Sequence, residues 1–398
     1  MRKLTIVFHH AGGGHRSTAE ALKATLTAQE RPWEVTLLNL QDLLRPLDLL
    51  GSFTGLQIED AYNLILRKGW TRTTPQLLVV LQSVIRLYHS QIVKALRSYW
   101  SQHPADLVLS VIPHFNREVA ESVTGNGTRP VFVTLLTDLA DYPPHFWIER
   151  ESEYLIVGTE RARQQAMLMG HAADHIFATS GMVLQPRFYQ DPEVDRVSER
   201  KRHGLDPDCP TGIVLFGGHG SRVMSDITRK LDRANAGVQL ILICGHNHKL
   251  ETELRSLRAK KPILVEGFTK NVEYYMALAD FFIGKPGPGS ISEALQFHLP
   301  VIVECNARTL PQERYNAEWV TEKGFGIVLT SFKDIASGVQ RLLETSTFAQ
   351  LRCNVGTYSN RALFEVPVIL EECLRRATRG DDSGPVFLEE AARMQYQR

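Results

Sequence analysis

The chain has 398 residues, 43% hydrophobic and 22% charged, the balance of an ordinary globular protein with room for two or three average domains. Its 45 basic residues against 44 acidic ones leave a formal charge of +1, which gives no support to a nucleic-acid partner. Five cysteines, Cys209, Cys244, Cys305, Cys353 and Cys373, are scattered and odd in number, without CxxC or Cys/His spacing. A reduced cytosolic protein without a metal site is therefore expected, with Cys244 and Cys305 read as buried thiols at the ends of apolar runs.

The chain enters directly as a strand, Met1-Arg-Lys-Leu-Thr-Ile-Val-Phe8, and no small-residue cleavage site follows. Strands and helical spacing then alternate, the signature of parallel sheets covered on both faces. In the first half the expected strands are Leu4–Phe8, Glu34–Leu38, Leu107–Ile112, Val131–Thr137, Tyr154–Val157 and His175–Ala178. In the second half they are Gly212–Phe216, Gln239–Cys244, Ile263–Val265, Phe281–Ile283, Val301–Val303 and Gly326–Leu329. Helical spacing joins Ala19, Leu22 and Leu26, and again Leu77, Leu81, Val84, Tyr88 and Ile92. The longest near-continuous apolar run, Leu77 to Ile85, falls far short of the ~20 residues that span a bilayer, so no membrane crossing is expected.

Both halves open alike, with an apolar strand, glycines and a helix: Ile6-Val-Phe-His-His-Ala-Gly-Gly-Gly-His-Arg-Ser17 and Ile213-Val-Leu-Phe-Gly-Gly-His-Gly-Ser221. The segment from Gln185 to Pro210, rich in proline and charge, reads as their linker. An α/β chain with two Rossmann-like parallel-sheet domains follows, and ligands of such sheets bind beyond the carboxyl ends of the strands, here in a central cleft. The first domain is expected over residues 1–190, completed by a C-terminal helix at 358–380; the second over 205–355; and a polar tail at 381–398. Residues 41–75 are too long and too apolar for a simple crossover. Leu47, Leu49, Leu50, Phe53 and Trp70, among Arg45, Arg67, Lys68 and Arg72, read either as a local core or as a shallow contact with an anionic membrane surface.

Four motifs and two single residues carry chemistry. Gly12-Gly-Gly-His-Arg-Ser17 fits neither a dinucleotide fingerprint, where Ser17 replaces the third glycine, nor a Walker A loop, which needs lysine where Arg16 stands. What remains is a glycine turn at Gly13 and Gly14 with His15 at the mouth of a helix, either as a general base or as a simple hydrogen-bonding residue. Gly217-Gly218-His219-Gly220 is the counterpart in the second half, suited to contacting phosphate through backbone N–H groups. Gly284-Lys-Pro-Gly-Pro-Gly-Ser-Ile-Ser-Glu-Ala294 places a turn and a helix N-terminus where an anion can sit. Within it, Ser290 and Glu293 match a capping box, and Glu293 alternatively accepts ribose hydroxyls. Gln312, Glu313 and Asn316 follow Pro311, as an ordinary first turn or as a grip on sugar hydroxyls. Asp138 and His114 end two buried strands of the first half, where each either faces the ligand or caps the turn that follows.

In this order the pieces resemble glycosyltransferase family 28, in its monogalactosyldiacylglycerol synthase and diacylglycerol glucosyltransferase branch. The resemblance runs over roughly residues 4–330 and rests on Ala11–Ala21, Val133–Leu139, Gly181, Leu215–Gly220, Ile243–Asn247, Glu266-Gly-Phe268, Gly284–Ala294 and Gln312-Glu313. Where the family commonly has Ser-Asp-Thr before its first glycines, this chain has His9-His10-Ala11. The resemblance implies a GT-B fold and a UDP-sugar donor without a tightly bound cofactor or metal. It implies His15 as base at the acceptor site; Asp138 is expected as a second catalytic residue, and Gly13, Gly14 and His114 on the acceptor side. The diphosphate falls to Gly217, Gly218, His219, Gly220, Pro288, Gly289 and Ser290, the uracil to the backbone of Phe268 and its neighbours, the ribose to Glu293, and the sugar to Gln312 and Glu313. The implied reaction is inverting transfer of galactose or glucose to a lipid hydroxyl, diacylglycerol first, by a cytoplasmic protein held peripherally at a membrane. The alternatives are a polyprenyl-linked or soluble acceptor, a UDP-sugar epimerase, and an inactive nucleotide-sugar-binding regulator.

Overall fold

A computed structural model describes residues 1–10, 13–47, 74–124, 129–190 and 192–379. Most of the apolar and basic set at 41–75 (Leu49, Leu50, Phe53, Arg67, Lys68, Trp70, Arg72) lies outside the described residues, as does the tail 381–398. The chain divides into two compact units: Met1–Pro186 with the segment from Arg361, and Arg187–Asn360.

The first unit carries a six-stranded parallel sheet: β1 (Arg2–Phe8), β2 (Trp33–Asn39), β3 (Leu107–Ser110), β4 (Val131–Leu135), β5 (Tyr154–Val157) and β6 (Ile176–Ala178), in the order β2-β1-β3-β4-β5-β6. β3, β4 and β5 are buried along their whole length, as strands covered on both faces must be. Two expected strands stop early. After Ser110 the chain turns because the Asn116 amide takes the Ile112 and Trp147 carbonyls, at 3.0 and 2.8 Å; β4 ends at Leu135, before Thr137. The helix Gly14–Ala28 buries Ala19, Leu22 and Leu26, as their spacing predicts. The spacing from Leu77 to Ile92 instead spans two helices, Thr74–Leu87 and His89–Gln102, separated at Tyr88. There His89 reaches Glu118 and Glu121, both at 2.8 Å, and these carboxylates raise its pKa although burial opposes them. The C-terminal helix Ala362–Arg379 belongs to this unit, packing on Gly14–Ala28 and β4, with Arg376 donating to the Asp174 carbonyl at 2.7 Å.

The second unit repeats the architecture with β7 (Thr211–Leu215), β8 (Gln239–Ile243), β9 (Ile263–Glu266), β10 (Phe281–Gly284), β11 (Val301–Glu304) and β12 (Gly326–Leu329). Its order, β12-β11-β10-β7-β8-β9, is the doubly wound order of nucleotide-binding sheets read from the far edge. The core between sheet and helices includes Val214, Leu242, Phe281, Ile283, Ile302 and Val339. Cys244 is fully buried, whereas Cys305 is only half-buried, because it already lies past the end of β11.

In each unit the strand order reverses at one place: between β1 and β3, and between β7 and β10. Loops leaving neighbouring strands diverge there and open a crevice at the carboxyl edge. The singled-out motifs leave the sheets at these two points. Gly13–His15 and His114 follow β1 and β3; Gly217–Gly220 and Lys285–Ser290 follow β7 and β10.

Candidate functional site

In the second unit the loop after β7 is locked by its neighbours. The Gly220 N–H donates to the Gly217 carbonyl at 3.1 Å, and the His246 N–H to the Gly218 carbonyl at 2.9 Å. Gly245 lies so close beneath that a Cβ there would stand 2.2 Å from the Gly218 carbonyl oxygen, so only glycine fits. The His246 ring lies 6.1 Å from that of His219 and stacks on Phe268 at 4.0 Å. Phe268 keeps 53% of its surface open.

After β10, Gly287 is the extended N-cap of the helix Pro288–Gln296. Pro288 has no N–H, so Gly289 and Ser290 carry the first N–H groups without an intrahelical acceptor. Ser290 is thus the third residue of the helix, and its hydroxyl donates back to the Gly287 carbonyl at 3.3 Å. The capping-box reading of Ser290 and Glu293 is therefore wrong, because the helix starts two residues before Ser290. Glu293 is half-buried, and burial raises its pKa to about 7, with Arg187 acting in the opposite direction.

Gln312 and Glu313 are buried in the first turn of the helix Pro311–Lys323. A Glu313 carboxylate oxygen accepts from Lys285 Nζ at 2.7 Å. Asn316, fully buried, donates to the Pro286 carbonyl at 2.7 Å, while its Oδ1 has no hydrogen-bond partner among the described residues. Sequence reasoning passed over Lys285. The available signal was a cation placed directly after a strand and before a proline, where its stem cannot join a helix.

In the first unit, His15 is the second residue of the helix whose N-cap, Gly13, has φ 80°. Ala11 and Gly12 lie outside the described residues. His15 Nδ1 lies 3.0 Å from Thr137 Oγ1, and its ring meets His9 at 4.5 Å and Trp147 at 5.6 Å. Burial lowers its pKa to about 4, a bond to the Val111 backbone notwithstanding. His114 has a left-handed φ of 71°; its N–H donates to the Phe146 carbonyl at 2.7 Å, and its ring packs edge-on to Phe146 at 4.3 Å. Its Nδ1 is buried without a partner among the described residues, and burial followed by His15 drops its pKa to about 3. His9 is lowered well below its ordinary value by burial and then by His15. All three rings are neutral at pH 7.

Asp138 is buried, and its Oδ2 accepts from Trp147 Nε1 at 2.8 Å. Trp147, fully buried, was missed as a site residue. It is held by its own N–H donating to Asp141 at 2.6 Å, and Asp141 is raised to about 6 by burial while four backbone N–H bonds resist. Asp138 and His15 thus meet through the indole between them. Beside His114 is a cavity of about 250 Å³ whose walls include Gln82, Arg86, Arg117, Glu118 and Glu149. Among the described residues no group of three or more His, Cys, Asp or Glu is placed to hold a metal ion, and no helix is long and apolar enough to cross a membrane.

Residues 212–353 match the glycosyltransferase family 28 C-terminal domain. Along 84% of its length the chain is 28% identical to the chloroplastic monogalactosyldiacylglycerol synthase 1 of Arabidopsis thaliana, covering 63% of that protein. Along 85% it is 28% identical to the chloroplastic monogalactosyldiacylglycerol synthase of Spinacia oleracea, covering 66%. The match to the family 28 C-terminal domain and the identity along most of the chain make it similar to glycosyltransferase family 28. It spans less than two thirds of the length of these two relatives. Among solved structures, Medicago truncatula UGT71G1 complexed with UDP-glucose superposes with a TM-score of 0.59 at 14% identity, covering 94% of this chain and 98% of that one. The two parallel-sheet units are those of the GT-B fold.

Proposed function

We propose that this chain is an inverting glycosyltransferase that moves galactose or glucose from a UDP-sugar to the hydroxyl of a lipid, diacylglycerol in the first instance. One observation carries the donor assignment: at the switch point of the second sheet, two glycine turns flank Lys285, with Glu293 one turn inside one helix and Glu313 at the start of the next. The glycine N–H groups and the N-terminus of Pro288–Gln296 suit a diphosphate, the half-buried Glu293 suits ribose hydroxyls, and Gln312 with Glu313 suits the hexose. Phe268, stacked on His246, belongs to the segment to which the resemblance assigns the uracil. The identity to monogalactosyldiacylglycerol synthases along most of the chain supports the lipid acceptor.

In this reading the acceptor O–H gives its proton to neutral His15 as its oxygen bonds the anomeric carbon. The bond from that carbon to the β-phosphate oxygen breaks, and UDP leaves with the electron pair. Asp138 acts through Trp147 as a positioning residue rather than as a proton carrier. Transfer to a lipid calls for a peripheral approach to the membrane by a cytoplasmic protein. Flotation with anionic vesicles tests that approach: no binding at any lipid composition argues for a soluble acceptor.

The decisive experiment incubates the protein with diacylglycerol vesicles and labelled UDP-galactose or UDP-glucose and identifies the product. A β-linked glycolipid is expected, and absence of any labelled lipid with either donor rejects the reading. The charged walls of the cavity beside His114 favour a second reading, a polar-headed acceptor such as a polyprenyl-linked sugar. Supplying that acceptor in the same assay separates the two.

A further inference from the structure

The donor side holds a full positive charge that the glycine motifs do not explain. Lys285 leaves the end of β10, and its stem runs between the two glycine turns: its Cε would lie 3.9 Å from a Cβ on Gly217 and 3.4 Å from one on Gly287. The ammonium is spent on Glu313, at 2.7 Å. The Glu313 side chain is 10% exposed and that of Lys285 41%, so the pair is open to solvent from the lysine side only. The same carboxylate oxygen would lie 3.7 Å from a Cβ on Gly287, which puts the pair at the mouth of the turn rather than behind it.

We propose that the Lys285–Glu313 ion pair is a donor-gated latch, in which Glu313 holds the Lys285 ammonium in reserve until a hexose takes the carboxylate and frees the ammonium for the diphosphate. The inference rests on the UDP-sugar reading above. A nucleoside diphosphate brings anionic oxygens to the glycine turns, whose N–H groups contribute only partial charges; an ammonium contributes a whole one, in a charge-assisted hydrogen bond. With Glu313 unoccupied, the diphosphate and the carboxylate compete for one cation. With a sugar hydroxyl donating to Glu313, the competition eases. The latch therefore favours intact donor over spent UDP, which aids product release. It also concentrates positive charge on the leaving group only when a transferable sugar is present.

Calorimetric titration with UDP, uridine and UDP-galactose tests the latch. Lys285→Met keeps the stem and removes the charge; it is expected to weaken UDP-galactose about 10- to 100-fold, UDP by clearly less, and uridine by less than about twofold. Glu313→Gln keeps the shape and frees Lys285; it is expected to tighten UDP several-fold without tightening UDP-galactose, so that preference for the sugar-bearing ligand falls. A merely structural pair would lower the melting temperature of both variants and move uridine and UDP together, which overturns the latch. Unchanged UDP affinity in Glu313→Gln overturns it too. If the unsubstituted protein binds neither UDP nor UDP-galactose, the donor reading itself fails and the latch fails with it.

Discussion

The two switch points solve opposite problems with opposite materials. In the second unit the crevice after β7 and β10 is built from glycines, a proline and a helix N-terminus, with the Lys285–Glu313 ion pair open to solvent on its lysine side. In the first unit the crevice after β1 and β3 is built from rings: His9, His15 and His114 packed among Phe146 and Trp147. The backbone turn stabilises charge that arrives with a ligand. The ring cluster excludes charge, since burial keeps each histidine neutral even below the ordinary histidine pKa. A phosphate-bearing donor and a hydroxyl-bearing acceptor need those two environments respectively.

The strongest way to break the comparison is at His15. Loss of a general base typically costs ~10²–10⁴-fold in rate, so His15→Ala should lose turnover on that scale while UDP affinity stays unchanged. Near-normal turnover would reduce His15 to a packing residue, and a parallel loss of UDP binding would mean that the division between the units is wrong. Because the ring titrates at about 4, the acid limb of kcat at saturating donor should fall near pH 4 rather than near the ordinary histidine value.

A smaller effect is expected in stability. His114 titrates at about 3 when folded and near 6.5 when unfolded, so its contribution is intact above pH 6.5 and is lost as pH falls below that value. His114→Asn retains a residue that tolerates φ 71° and removes the titration. Melting curves at falling pH should show the variant gaining on the parent, by an order of 1 to 2 kcal/mol near pH 5. Constant separation across pH would mean that the ring is not buried as described. The raised carboxyls act with the opposite sign: Glu293 and Glu149, at about 7, and Asp141, at about 6, bind protons more readily folded, so they offset part of the acid loss.

Glu293 gives the matching test in the second unit. A carboxylate accepts ribose hydroxyls, so UDP affinity should be greatest above about pH 7 and decline below it, by up to ~10-fold per unit. Glu293→Gln should be weaker, and flat with pH. An unchanged affinity would leave the carboxylate without a role in the nucleotide site, since the capping role is already excluded by the geometry.

The loops proposed for the donor were legible because their geometry is local. Gly217–Gly220 and Lys285–Ser290 are short runs whose turns need glycine or proline whatever surrounds them, and each follows an unbroken apolar strand. All twelve expected strands are found among the described residues, with ends displaced by a residue or two, for the same reason: continuous buried runs mark parallel strands. The acceptor side was legible only as candidates. Thr137 bonds His15 across 122 positions, and Trp147 reaches Asp138 only because Asp141 folds the intervening loop back. Nothing in the spacing of those residues encodes that folding; the sheet order does, by bringing β1, β3 and β4 side by side. The capping box misled for a related reason. A proline two residues before Ser290 starts a helix as well as a serine does, and the Ser-x-x-Glu pattern carries no information about which came first.

The smallest expected effect separates a wall from a participant. Trp147 touches His15 by ring contact and Asp138 by one hydrogen bond. Trp147→Phe keeps an aromatic surface against His15 and deletes the indole N–H, leaving a buried carboxylate oxygen without that donor. If Asp138 acts through Trp147 to hold the histidine ring, turnover should fall a few-fold, about 1 kcal/mol, with KM for the donor unchanged and the acid limb displaced upward as the ring gains freedom to meet water. If the indole is packing alone, melting temperature should fall and the pH profile should stay where it is. The profile decides between them, because a loosened scaffold has no reason to move the pKa of one histidine.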